Sequence, residues 1–254
     1  MFRSIFHFNY SIAQLLVLSL SVGVNTGASA IVIAHELIHR KNKLYHLAGK
    51  FLLFTAGNIY FYIDHLKVHH KWVGTERDPA TARKGENVYT FFFRSAIGQV
   101  KSSLNVESER LQKENSFKFG WRNYVVANFL LLIVFCSFVI YFIGTKAVIV
   151  FLLQSMIANF LLEYTNYIEH YGLIRKENER VDETHSWQSD KVISRYFLID
   201  LSRHSDHHYY ASKPYNKLNS YETSPVLPGG YVSMFYFALI PPLWFNKVDR
   251  LIKN

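Results

Sequence analysis

The sequence predicts an all-α fold, a polytopic bundle of membrane helices carrying a histidine-rich cap on its cytoplasmic side. Three observations point there. Half of the 254 residues are hydrophobic, and they are bunched into runs that suit lipid better than a soluble core. Of the 12 histidines, most fall into four groups at or beside the ends of those runs. The 28 Lys and Arg, against 19 Asp and Glu, crowd particular connecting segments.

The first apolar run covers roughly residues 8–34. At ~1.5 Å per residue it can cross a ~30 Å hydrocarbon layer. It is too long for a signal peptide, lacks a small-residue cleavage pattern and flows directly into His35-Glu36. The second run, about Leu44 to Ile63, is shorter and carries His46, Lys50, Asn58 and Tyr60. It begins and ends beside histidine groups, so if all groups serve one site it cannot cross completely. A re-entrant or surface-lying helix is expected instead. The polar segment from Lys101 to Gly120 reads as a cytoplasmic loop, partly helical. Tyr124 to Gly144 is the cleanest span. A tight Gly144-Thr145-Lys146 link returns the chain into the fourth run, Ala147 to about Leu162, which continues as a helix through Asn166 and His170. Tyr231 to Phe245 is apolar but interrupted by Pro241-Pro242, which suggests an interfacial segment. The count is three full spans, with the amino terminus on the far side.

Charge supports this orientation. Ten Lys/Arg lie between Asp64 and Trp121 and eleven from Asn166 onward, while the link between the middle apolar runs has one, Lys146. That asymmetry is the positive-inside pattern. The basic residues form no aromatic-interleaved stripe and no arginine-rich arm, so a nucleic-acid partner is not expected. Cys136 stands alone, which rules out an intrachain disulfide and a thiolate metal cluster within the chain.

The histidine groups carry the chemistry. His35 and His39 are four apart in His-Glu-Leu-Ile-His; His65 and His69 are again four apart, with His70 adjacent. His170 follows Asn166 by one turn, and His204, His207 and His208 have helical spacings of three and four. Neutral imidazole suits iron, copper, nickel and zinc rather than magnesium or calcium. This set exceeds what one ion can use, so two ions are expected. Iron is the expected metal, since oxygen activation needs electrons that zinc cannot supply. His-Glu-x-x-His alone also describes a zinc protease with Glu36 as general base, but that site leaves the other groups unexplained. His7, His46 and His185 belong to no group and are expected to be structural or to support the ligands. Ligating imidazoles usually donate their second N–H to an acid or carbonyl. The acids best placed for this are Glu36, Asp64, Glu169, Asp190 and Asp206; Glu163 could orient a ligand or bind metal directly.

These segments resemble the bacterial integral-membrane alkane 1-monooxygenases, within the membrane di-iron group that includes fatty-acid desaturases and xylene monooxygenase. His35 to Arg40 is similar to the first histidine box, and His65 to His70 to the second. Thr75 to Glu86 is similar to that family's acidic stretch, Asn166 to Leu173 to its hydroxylase-type segment, and Arg203 to His208 to the last box. Leu227 to Tyr231 and Pro241 to Trp244 also look familial. Asp64 and Val68 stand where the family usually has Glu and Gly, and Leu201-Ser202 where it has Leu-Gln. The resemblance implies two irons held by His35, His39, His65, His69, His70, His170, His204, His207 and His208. It also implies terminal hydroxylation of medium- or long-chain alkanes using O2. Electrons would come from rubredoxin, fed by an NAD(P)H-dependent rubredoxin reductase, with the enzyme in the bacterial inner membrane. Family members have six spans, so residues 1–254 are expected to form one di-iron hydroxylase domain lacking about three amino-terminal helices. A desaturase or hydroxylase acting on an acyl-lipid is the alternative, and a histidine-rich metal transporter or scaffold would need ligands strung through the bilayer.

Overall fold

The computed structural model describes residues 10–252. Among them the regular structure is helical, apart from one isolated parallel bridge between Gln188 and Val226. In chain order the helices are α1 (Ile12–Ile38), α2 (Lys43–Thr55), α3 (residues 61–72), α4 (Val88–Lys113), α5 (Tyr124–Phe142), α6 (Thr145–His170), α7 (Val192–Phe197), α8 (His204–Tyr209), α9 (Tyr231–Leu239) and α10 (Pro241–Val248). Two compact units are formed, residues 1–62 with 103–161 and residues 63–102 with 162–254. The all-α fold class expected from the sequence is the one observed.

Among the described residues three helices are long and apolar enough to cross a membrane: α1, α5 and α6. In unit one, α1 opens with a capping box in which the Gln14 N–H donates to Ser11 Oγ and the Ser11 N–H to Gln14 Oε1. Its middle, Thr26–Ile31, widens into a π-helical turn before the first histidine pair. α2 has 13 residues. At ~1.5 Å each it reaches only about 20 Å, short of the hydrocarbon width. Gly49 lets it lie close to α1: a Cβ there would sit 2.8 Å from the Ile38 side chain and 3.1 Å from the Ala34 carbonyl. Gly57, at φ +67°, then turns the chain.

α5 is apolar all round, as a lipid-facing helix must be. It starts on Asn123, whose side chain accepts from the N–H groups of Val125 and Val126. Its far end packs Val139 against Ala147, Val148 and Val150 of α6. Several polar groups in this unit pair internally: Gln154 donates to the Thr55 carbonyl and Asn159 to the Ala56 carbonyl, while Asn58 donates to Asn159. The 101–120 segment is partly helical, as expected. α4 runs without a break to Lys113, and Asn115 at φ +51° marks its end.

In unit two, the break at the double proline is real. α9 stops at Leu239 and α10 begins on Pro241, where a missing N–H costs nothing.

Candidate metal centre

Each unit carries part of the histidine set. In unit one, His35 lies in the last turn of α1 and His39 caps it, with ring centroids 5.0 Å apart. Glu36, on the same turn, pairs with Arg40. His46 is structural, its ring nitrogens on the Tyr62 hydroxyl and the Arg40 carbonyl. His7 lies outside the described residues.

Unit two brings together seven of the nine expected ligands, in two groups. His69, His170, His204 and His208 each offer a ring nitrogen within 4.8 Å of the others, and all four are buried. His204 Nε2 is 3.2 Å from His170 Nε2 and 2.9 Å from His208 Nε2. Ring nitrogens that converge this closely from three segments can be ligands of one ion. In the second group His70 Nε2 lies 3.0 Å from His65 Nε2 and 3.1 Å from His207 Nε2.

The partition between groups departs from the sequence expectation. Spacing of four places His65 and His69 on one α-helical face, yet residues 65–69 form a π-helical turn. The wider turn brings residues five apart toward one face, so His65 Nε2 meets His70 Nε2, while His69, its ring still 5.3 Å from that of His65, joins the other group. The Tyr-Ile-Asp-His-Leu-Lys-Val-His-His stretch shows no Pro or Gly that would announce this turn.

His69 and His170 are held from behind. His69 Nδ1 donates to Asp78 Oδ2 at 2.9 Å, and its buried Nε2 has no hydrogen-bond partner among the described residues. Asp78 also accepts from the Thr81 hydroxyl at 2.7 Å and the Ala80 N–H at 3.0 Å. Burial alone would raise the Asp78 pKa, but His69 and these hydrogen bonds carry it below the usual carboxylate range. His208 is pushed well below the ordinary imidazole value by burial and by His70 and His204 beside it. It is therefore neutral, the state a metal requires. His170 Nδ1 faces Ser186 Oγ at 3.4 Å.

Loops fix the boxes. Gly172, at φ +68°, ends α6 just beyond His170, and its N–H donates to the Ala82 carbonyl. Arg175 then donates to the carbonyls of Val73 and Lys71, which closes the open end of α3. Ahead of α8, Ile199 and Asp200 adopt φ of +46° and +64°, strained values for side chains of their size.

The expected supporting acids divide. Glu169 accepts from the Tyr231 hydroxyl at 2.8 Å and lies 3.1 Å from His204 Nε2, so it reaches the cluster. Glu163 accepts from Gln99 at 2.6 Å and from Asn166, which anchors its carboxylate on amides. Asp64 takes the Ser102 hydroxyl; burial and the nearby Asp78 push its pKa well above the usual range. Asp206 holds the Asn219 N–H and the Tyr221 hydroxyl. Asp190 binds Arg203, which also donates to the Leu218 carbonyl. Both acids therefore brace the loop bearing α8. His185 sits against Asp182. Sequence reasoning did not single out Asp78, Arg175, Ser186 or Tyr231 as supports. Only Asp78 had a signal, an acid in the segment directly after the second box.

The chemistry of this donor set fits iron: imidazoles in two groups, His170 and His208 held neutral by burial, the Asp78 carboxylate behind His69, and no cysteine in either group. Both groups are capable of holding one ion of a di-iron centre.

The fatty acid desaturase family profile matches residues 11–238. Alkane 1-monooxygenase 1 of Pseudomonas aeruginosa is 38% identical over 239 residues, covering 92% of this chain and 63% of the relative. Alkane 1-monooxygenase of Acinetobacter baylyi is 35% identical over 242 residues, 93% of this chain and 59% of the relative. The xylene/toluene monooxygenase hydroxylase component of Pseudomonas putida is 28% identical over 231 residues, 91% and 62%. The chain thus spans about three-fifths of the length of these curated relatives.

Proposed function

The chain belongs to the fatty acid desaturase family, and on that premise we propose that it hydroxylates the terminal carbon of medium- or long-chain alkanes, with two irons held by nine histidines. The observation that carries this reading is the pair of buried imidazole groups in unit two, together with the names of the relatives. In the proposal His69, His170, His204 and His208 hold one iron. His65, His70 and His207 hold the other, and His35 and His39 of the first box complete it. When bound and reduced, such a centre supplies O2 activation and delivers one oxygen atom to a C–H bond while the other leaves as water.

The protein's own residues set the stage for that chemistry. Asp78 keeps the proton of His69 on Nδ1, so that Nε2 presents a lone pair. Tyr231 holds Glu169 against the cluster, and Arg175 keeps the end of α3 closed. A saturated chain offers no polar handle, so binding rests on apolar burial at about 0.8 kcal/mol per methylene. The basic segments between spans suit an acidic electron donor, for which rubredoxin and its NAD(P)H-dependent reductase are proposed. The histidine boxes are assigned to the cytoplasmic side of a bacterial inner membrane, following the distribution of Lys and Arg.

The test is O2-dependent turnover of octane by the detergent-purified protein with rubredoxin, its reductase and NADH. The expected product is 1-octanol. Conversion of an acyl-lipid with no alkane product would assign the desaturase alternative.

A further inference from the structure

A cavity apart from the histidine groups lies in unit one. It has a volume of about 380 Å³ and is lined by Lys41, Lys43, His46, Leu47, Lys50 and Tyr62. Among the described residues Lys41, Lys43 and Lys50 make no direct ion pair, and Glu107 acts on Lys50 only from a longer distance, so the concavity keeps an excess of positive charge. Two of its walls are fixed. The Lys50 ammonium sits 4.0 Å from the centre of the Tyr62 ring and 5.3 Å from that of Tyr124. Tyr62 in turn places its hydroxyl 3.2 Å from His46 Nδ1.

The helix that carries this cavity has a second oddity. α2 buries Gly49 and Leu53 against the protein, yet Leu44, Leu47 and Phe51 are 71%, 65% and 65% exposed. Positions 44, 47 and 51 follow helical spacing, so they form an outward apolar stripe. A helix too short to cross a bilayer, apolar on its outer face and lysine-rich at its start, is the pattern of a helix lying in the headgroup region.

We propose that this cavity is a binding site for an anionic phospholipid, its phosphate held by Lys41, Lys43 and Lys50 and its acyl chains laid along Leu44, Leu47 and Phe51. Charge complementarity and the continuity of cavity with apolar stripe select the ligand: a free anion has no use for the stripe, and a zwitterionic lipid does not offset three cations. The site shares no residue with the histidine groups and does not depend on the metal.

The experiment uses native mass spectrometry of the purified protein in dodecyl maltoside micelles doped with equal amounts of dioleoylphosphatidylglycerol and dioleoylphosphatidylcholine. The wild type is expected to retain phosphatidylglycerol preferentially. K41Q/K43Q is expected to lose about fivefold of that preference per lysine removed, and both exposed positions leave the fold intact, checked by an unchanged melting temperature. K50Q is expected to lose a similar factor. Equal retention of both lipids by the wild type, or an undiminished preference in the variants, would overturn the proposal. So would stabilisation by inorganic phosphate that matches phosphatidylglycerol, which would make this a free-anion site, or an acidic peptide outcompeting the lipid.

Discussion

Replacing Asp78 by Asn probes how strongly a residue outside the metal's immediate ligands governs the centre. The carboxylate accepts three bonds: from His69 Nδ1 and the Thr81 hydroxyl on Oδ2, and from the Ala80 N–H on Oδ1. An amide of the same shape has one acceptor oxygen. It can serve His69 and Thr81 or the Ala80 N–H, but not both, so at least one buried donor is lost in either orientation. The remaining bonds also lose their charge. Hydrogen bonds to charged acceptors contribute about 1.5–3 kcal/mol against about 1 kcal/mol for neutral ones. The expected loss at His69 is therefore about 1–2 kcal/mol, which matches the roughly 10- to 100-fold effect typical of such supports at metal sites. Cobalt(II) titration of apo protein, followed by its visible absorption, reads both groups at once. D78N is expected to weaken one equivalent by about 5- to 30-fold and to leave the other unchanged. Two equivalents of unaltered affinity would refute the view that Asp78 sets the His69 tautomer.

Three further outcomes follow from individual contacts. Tyr231→Phe removes the hydroxyl bound to Glu169, and the same cobalt titration is expected to show a several-fold weaker site at the His204 group. Gly57→Ala puts a Cβ 2.6 Å from Ser155 Oγ at a backbone φ of +67°, so the melting temperature in detergent is expected to fall, by an amount corresponding to more than about 1 kcal/mol. Glu107 binds Arg110 and the Tyr124 N–H, and although burial opposes it, these bonds hold its pKa below the usual carboxylate value. A depressed folded-state pKa stabilises the fold above the unfolded value of about 4.3 and is lost as pH falls through the folded one. E107Q is thus expected to melt below wild type at pH 7, with the difference closing below about pH 4.

Much of the fold was legible because lipid imposes simple rules. Length and apolarity identify α1, α5 and α6, and the Gly144 link and the double proline at 241 mark real breaks. The ligand types were legible for the same reason, since imidazoles at helical spacing announce themselves. What the sequence did not disclose was how they are shared out. Helical spacing assumes 3.6 residues per turn, and the π-helical turn at 65–69 breaks that assumption, so His69 groups with His170 although its ring still lies 5.3 Å from that of His65. Supports such as Arg175 and Tyr231 come from segments distant in sequence and acquire their roles only through tertiary contact. Asp190 and Asp206 illustrate the converse: both were expected to support an imidazole, while their carboxylates hold a loop instead.

The central claim is a pair of irons held by imidazoles. Metal analysis of the protein purified from iron-supplemented cells, paired with the His170→Ala variant, tests it directly. Two irons per chain in the wild type, with about one lost in the variant, is the predicted result. One zinc per chain and no iron, unchanged by removing His170, would contradict it.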